Sequence, residues 1–406
     1  MTSTPRRFVL STNIPTPYRL AFFEVLAREL AARAISFEVF FYARTEPNRQ
    51  WQIDMRELPF RWTVLPGVHP ALGAFCPHFN PTLALAVRRA KPTWLLIAGA
   101  WNTPSSLLAL NRRLSGAGVR LFWSEGHAQA VLHPTGPIAM LRRRVLQAYD
   151  GFVVPNAASE RFVLSELAGA KPVLRLPNTV DESFYLAGPG EARPALRAGL
   201  EVSPDDVVLL CVAQLTDRKG VVELAAAARS LPEEQRRRVL LVFAGSGTLG
   251  SQVLEAAEGV RTRLLGHVGP EVIRRWLYAA DLFVLASKID PNPLSAIEAA
   301  FCGVPLVLSA RAGNADDLLG APVAGPQPNA PGPECPGGWR ISAPQPEAIR
   351  RALSAALGAG EARRRAAGLR AKEVALSEFS RDGAARGFVD HLLRAFPAAG
   401  GEPDGS

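Results

Sequence analysis

Cysteine is scarce: the chain of 406 residues has four, Cys76, Cys211, Cys302 and Cys335, widely dispersed. No CxxC pair and no cysteine–histidine cluster occurs, so neither a disulfide framework nor a zinc site is indicated. Cys211 and Cys302 lie in apolar runs and read as small core residues. No stretch of about 18 apolar residues is present, which excludes an ordinary membrane-spanning helix. The opening MTSTPRRFVLSTNIP lacks the apolar segment of a secretory leader. A cytoplasmic location follows as the expectation, with peripheral attachment at the inner membrane face left open. No GxGxxG follows the first strand of either half, and GxxxxGK[ST] is absent, which argues against a dinucleotide oxidoreductase and a P-loop NTPase. No Lys/Arg block is interleaved with aromatics, so nucleic acid is not an expected partner.

What is present is a globular balance, 48% hydrophobic and 20% charged residues, in a length that suits two domains. The formal net charge is +9. The basic excess is mainly arginine, and it would tolerate anionic partners. The triplet Arg142, Arg143 and Arg144 reads as a solvated helix face, with attraction to anionic lipid as the sharper alternative.

Strand-like and helix-like segments alternate along the chain. RFVLST (7–12), ISFEVFFYA (35–43), PTWLLIAGAW (92–101), VRLFWSEGH (119–127), DGFVVPN (150–156) and PVLRLPN (172–178) read as strands of the first half. PYRLAFFEVLARELAAR (17–33) and TPSSLLALNRRLSGAG (103–118) each read as one helix. The second half repeats the alternation from DVVLLCVAQL (206–215) to VPLVLS (304–309). This pattern predicts parallel sheets built from βαβ units, with right-handed crossovers. The seam falls within 176–206, rich in proline, glycine and charge. The Pro/Gly stretch 325–338 reads as a surface loop.

One stretch concentrates the chemistry. In DLFVLASKIDPNPLSAIEAAFCGVPLV an apolar strand runs through a polar turn into a helix that Gly303 closes. Ligands in such units sit beyond the carboxyl ends of the strands, where helix N-termini point. Asp290 and Glu298 fall there, eight positions apart. The amides of Leu294 and Ser295 open the helix and are the candidate diphosphate donors. Pro291 and Pro293 have no N–H to give and stiffen the turn. GSGTLG (245–250), after another strand, is glycine-rich but carries little alone.

Taken in order, VAQLTDRKG (212–220), AGSG (244–247), LLGHV (264–268) and the stretch above resemble the retaining GT-B glycosyltransferases of family four, the glycosyl transferases group one. IPTPYR, WSEGH, VVPNAAS and LPNTVD in the first half resemble segments of the same family. The resemblance implies an α/β fold of two Rossmann-like domains facing a central cleft. The first, at 1–185, would take the acceptor and the second, at 200–380, the nucleotide sugar. A helix at 381–396 would return to the first, followed by a disordered tail at 397–406.

It implies catalytic-side roles for Asp290, Lys219, and His127 or Glu125. Asp290 would face the donor sugar and Lys219 would neutralise the leaving diphosphate. Glu298 would accept hydrogen bonds from the ribose hydroxyls. Leu294, Ser295, Gln214, Arg218, Gly245, His267 and Val268 complete the donor side; Thr16, Tyr18 and Arg19 belong to the acceptor side. The family usually has Glu at the position of Asp290 and often Arg at Gln214, so Lys219, with Arg218, would carry more of the phosphate charge.

The expected activity is hexosyl transfer, as in polysaccharide biosynthesis. The donor is a nucleoside-diphosphate sugar, the acceptor a glycan or lipid-linked molecule, and the anomeric configuration is retained without a metal or other cofactor. The rival readings are a non-catalytic nucleotide-sugar binding protein and a sugar-nucleotide epimerase of the same fold.

Overall fold

The computed structural model describes residues 5–46, 54–70, 76–128, 131, 133–167, 171–321 and 334–397. The tail beyond Pro397 and most of the Pro/Gly stretch 325–338 lie outside the described residues. The chain divides into two units, one of residues 1–155, 159–177 and 381–406, the other of 156–158 and 178–380.

The first unit is built on a seven-stranded parallel sheet of β1 (Arg6–Thr12), β2 (Ile35–Phe41), β3 (Arg61–Val64), β4 (Trp94–Ala98), β5 (Val119–Trp123), β6 (Gly151–Val154) and β7 (Val173–Arg175). Its order is β3-β2-β1-β4-β5-β6-β7. Every residue of β4 is buried, because helices cover both faces and each face needs apolar side chains. Phe8, Leu10, Trp94 and Leu96 point into one core, while Val9, Leu95 and Ile97 point into the other. The helix Arg381–Ala395 closes the first of these cores. Phe388 meets Phe8 edge-on at 5.9 Å, and the Trp94 indole donates to the Phe396 carbonyl at 3.1 Å.

The second unit has its own seven-stranded sheet of β8 (Val207–Val212), β9 (Val239–Ala244), β10 (Arg261–Leu264), β11 (Leu282–Leu285), β12 (Leu306–Ser309), β13 (Glu334–Cys335) and β14 (Gly338–Ile341). The order is β10-β9-β8-β11-β12-β14-β13, parallel except for the short β13. In both units strand order reverses beside the first strand, and in parallel sheets such a switch point opens a crevice outside the carboxyl ends of the strands.

Three local readings change. The segment 103–118 is two helices, Pro104–Leu110 and Arg112–Ser115. Asn111 takes an extended ψ of 110° and its side chain caps the second helix through the amides of Arg113 and Leu114. The arginine triplet is not wholly a solvated face. Arg143 and Arg144 are exposed, but Arg142 is buried and paired with Glu166 at 2.9 Å. Cys211 is a core residue, whereas Cys302 is half-buried at the end of its helix.

Candidate functional site

The second unit's site is assembled from three loops at the carboxyl ends of its strands. After β8 the chain makes a tight helical turn, Asp217–Lys219, that ends at Gly220. Gly220 has φ +64°, and a Cβ there would lie 2.2 Å from the Ala286 carbonyl oxygen. Only glycine lets this turn press so close to the loop that follows β11. The Arg218 carbonyl then accepts from the amides of Lys288 and Ile289, at 2.9 and 3.2 Å.

The loop after β12 fastens the other side. The Asp290 amide donates to the Arg311 carbonyl at 3.3 Å, and the Asp290 carbonyl accepts from Gly313 at 2.8 Å. Gly313 is pressed onto Pro291, whose carbonyl oxygen would sit 1.8 Å from an added Cβ.

These constraints bring Lys219 and Asp290 together across 71 residues of sequence, Nζ to Oδ2 at 2.5 Å. Both side chains are shielded, 14% and 7% exposed, and Ser287 Oγ lies 3.5 Å from the same Oδ2. An ammonium has three donors, so this contact leaves Lys219 further bonding capacity.

The helix Leu294–Phe301 starts immediately beyond, with Pro293 at its N-cap. Ser295 Oγ donates to the Val212 carbonyl at 3.0 Å, which fixes the helix start against the end of β8. The amides of Leu294 and Ser295 lie in the first turn of this helix, where backbone N–H groups have no partner within the helix. Gln214 and Arg218 are exposed on the adjoining loop. Gly245 has φ +145°, and a Cβ there would lie 2.0 Å from the Ala213 carbonyl oxygen, so its first role is to let the loops after β8 and β9 pack. Its amide donates to the Gly266 carbonyl at 2.8 Å, which places exposed His267 and half-buried Val268 beside that loop.

Sequence reasoning missed the asparagines that frame the turn. Asn156 Nδ2 donates to the Pro291 carbonyl at 2.8 Å and Asn314 Nδ2 to the Pro293 carbonyl at 3.0 Å. Both amide atoms of Asn292 and the Asn314 Oδ1 are buried without a hydrogen-bond partner among the described residues. An unmade buried bond costs about 1–3 kcal/mol, which makes these groups candidates for contact with a ligand or with water. The available signal was an amide side chain held between two prolines.

Glu298 is half-buried and bonded to the Tyr185 side chain from the short helix Glu182–Leu186. Burial pushes its carboxyl above the usual range, against the opposing effect of that hydrogen bond. The folded state therefore holds the Glu298 proton more tightly than the unfolded chain does. Stability from this group is fully present below the unfolded pKa, about 4.3, and is lost as pH rises through the folded value. Glu298→Gln should accordingly raise the melting temperature at pH 7, with the gain shrinking to nothing at acid pH. Thermal melts of both proteins across pH check this; a gain independent of pH would show that the charge is not what burial penalises.

The first unit carries a second polar cluster, at the ends of β1 and β5. Arg19 donates to Thr12 Oγ1 at 3.2 Å and to Glu125 Oε1 at 3.0 Å, and lies over the Trp123 ring at 5.1 Å from its centre. His127 is 4% exposed and Tyr18 is exposed. Thr16 Oγ1 and the Trp123 indole nitrogen are buried with no partner among the described residues. The structure thus joins Arg19 to Glu125 in one unit and Lys219 to Asp290 in the other. Asp290 and Glu298, eight apart in sequence, hold different partners.

Residues 192–367 match the family described as Glycosyl transferases group 1. This region contains the whole loop system around Lys219 and Asp290. An uncharacterized glycosyltransferase of Methanocaldococcus jannaschii is 31% identical over 121 residues, 29% of this chain and 30% of that protein. D-inositol 3-phosphate glycosyltransferase of Xylanimonas cellulosilytica is 35% identical over 145 residues, 33% of this chain and 34% of that protein. The match thus spans about a third of the length of these relatives. Among solved structures, sucrose-phosphate synthase from Thermosynechococcus elongatus superposes with TM-score 0.67 at 19% identity, covering 97% of this chain and all of that one. Anabaena HepE in complex with UDP gives TM-score 0.66 at 15% identity, covering 96% of this chain and 100% of that one. At these identities the likeness concerns the fold, two Rossmann-like units of the GT-B class. Among the described residues no helix is long and apolar enough to cross a membrane.

Proposed function

We propose that this protein is a retaining, family-four glycosyltransferase that moves a hexosyl group from a nucleoside-diphosphate sugar to a glycan or lipid-linked acceptor. The observation that carries the reading is the shielded Lys219–Asp290 pair beside the opening of the helix Leu294–Phe301. A cation, a helix N-terminus and a carboxylate in one place suit a molecule with an anionic diphosphate joined to a hydroxyl-bearing sugar. That the HepE structure holds UDP agrees with a nucleotide-linked donor. Lys is a mobile point charge, so its Nζ can turn from Asp290 to the diphosphate and free the Asp290 carboxylate for a sugar hydroxyl. Asn292 supplies an unclaimed amide beside it. Glu298 reads the ribose. Arg19, Glu125, His127, Thr16 and Tyr18 belong to the acceptor side.

The charge that develops on the leaving diphosphate is met by Lys219, Arg218 and the amides of Leu294 and Ser295, which is electrostatic stabilisation by fixed groups. No step requires a divalent cation in this scheme. Transfer should therefore persist undiminished in excess EDTA, and an activity that EDTA abolishes and magnesium restores would contradict it. The reading itself is tested by incubating the protein with UDP-, GDP- and ADP-sugars and following nucleoside-diphosphate release, with the anomeric configuration of any product assigned by NMR. Release from none of them, with or without added glycan or lipid-phosphate acceptors, would overturn it.

A further inference from the structure

The first unit encloses a cavity of about 630 Å³ between the carboxyl ends of β4 and β5 and the helices Gly136–Leu146 and Ala157–Leu167. That volume is in the range of small-molecule sites, about 300–1,000 Å³. Trp101, Phe122, Ile138, Leu146 and Phe162 make its apolar wall. Its polar lining is Arg142 together with Asn102, Ser124, Glu125 and His133. The Arg142 side chain is 6% exposed and two of its three nitrogens are committed, Nε to Glu166 at 2.9 Å and Nη1 to the His133 carbonyl at 2.9 Å. Its Nη2 is buried with no partner among the described residues.

The orphan donor needs an oxygen, and an anionic one makes the stronger bond. Local charge agrees. Glu166 is shared by Arg142 and by Arg143, at 3.6 Å, so one carboxylate faces two guanidinium groups. Glu125, which also lines the cavity, is already paired with Arg19. Ile138, which lines the cavity, is 45% exposed, and on the same helix Met140 and Leu141 are 69% and 55% exposed. A free inorganic anion would leave the aromatic wall unused, and a neutral hydrocarbon would leave Arg142 Nη2 unpaired.

We infer that this cavity binds an anionic amphiphile, an alkyl or prenyl chain bearing a phosphate, with the chain against the aromatic wall and the phosphate oxygen on Arg142 Nη2. Identifying that amphiphile with the acceptor rests on the glycosyltransferase reading; the binding site does not.

Calorimetry on the full chain, without donor, tests it with three probes: hexyl phosphate, 1-hexanol and inorganic phosphate. Hexyl phosphate should bind at least about tenfold tighter than either of the others, since it alone uses both walls. Ile138→Trp, at a half-exposed rim position, should obstruct the mouth and weaken hexyl phosphate by about tenfold or more at an unchanged melting temperature. Arg142→Gln with Glu166→Gln removes both charges at once, leaving no lone buried ion, and should bring hexyl phosphate down to the level of hexanol. The inference is overturned if hexyl phosphate binds no better than phosphate, if hexanol matches it, or if Ile138→Trp leaves its affinity untouched. Titrating nucleoside diphosphates into the same sample separates the two ideas. Nucleotide bound without hexyl phosphate sinks only this inference, and the reverse result sinks only the glycosyltransferase reading.

Discussion

Replacing Lys219 by alanine should lower sugar transfer by about 10²- to 10³-fold, the loss typical of removing one fixed group that stabilises a developing anion. The loss should appear in product-nucleotide affinity as well, because the diphosphate exists before and after transfer. The geometry adds a complication that the experiment must separate. Lys219 is the partner of a buried carboxylate, at 2.5 Å. Deleting it strands Asp290, and breaking a buried pair from one side costs about 3–5 kcal/mol of stability. Lys219→Ala should therefore melt at a lower temperature. Lys219→Ala with Asp290→Asn removes both charges and should recover most of the melting temperature while transfer stays low. Recovery of transfer together with stability would mean that Lys219 acts only as the counter-ion of Asp290.

Glu298→Gln is the second large effect, expected at about 10- to 150-fold in transfer efficiency, the equivalent of one hydrogen bond to a charged group at roughly 1.5–3 kcal/mol. The substitution keeps the shape and removes the charge. Tyr185 already engages this carboxylate, which orients it and leaves further lone pairs for a ribose. The penalty should shrink with a 2′,3′-dideoxy donor, because the hydroxyl partners are then missing for both proteins. A penalty that stays the same would make Glu298 a support for the Tyr185 contact rather than a ribose ligand. The same variant is expected to be more stable at neutral pH, so its loss of activity would not trace to unfolding.

Much of this architecture was legible because apolar runs and their turn residues are local signals. The strands β4, β8, β9 and β11 announce themselves as unbroken apolar runs, since both faces of a covered parallel sheet need them. β3 does not: RWTV is a short edge strand, half polar, with little to set it apart. The break at Asn111 was hidden because the helical periodicity continues across it, and only the cap geometry shows that its side chain has left the helix. Arg142 was misread for a related reason. Three consecutive arginines on a helix point in different directions, and the partner that draws one inward, Glu166, lies 24 residues away.

The site was legible to a similar degree. The spacing of Asp290 and Glu298 was visible, but their partners come from elsewhere in the chain, Lys219 from the turn after β8 and Tyr185 from the helix Glu182–Leu186. Asn156 and Asn314 carry no pattern of their own, and Asn292 is marked only by the prolines on either side; their buried amide groups make them notable.

The most direct test of the central claim is a metal-free calorimetric titration of the wild-type chain with UDP, GDP and ADP against uridine, guanosine and adenosine. The account predicts that at least one diphosphate binds more than about tenfold tighter than its nucleoside, because Lys219 and the helix at Leu294 meet the phosphates. If every diphosphate binds no better than its nucleoside, or none binds at all, the loops around Lys219 and Asp290 are not a nucleotide-sugar site.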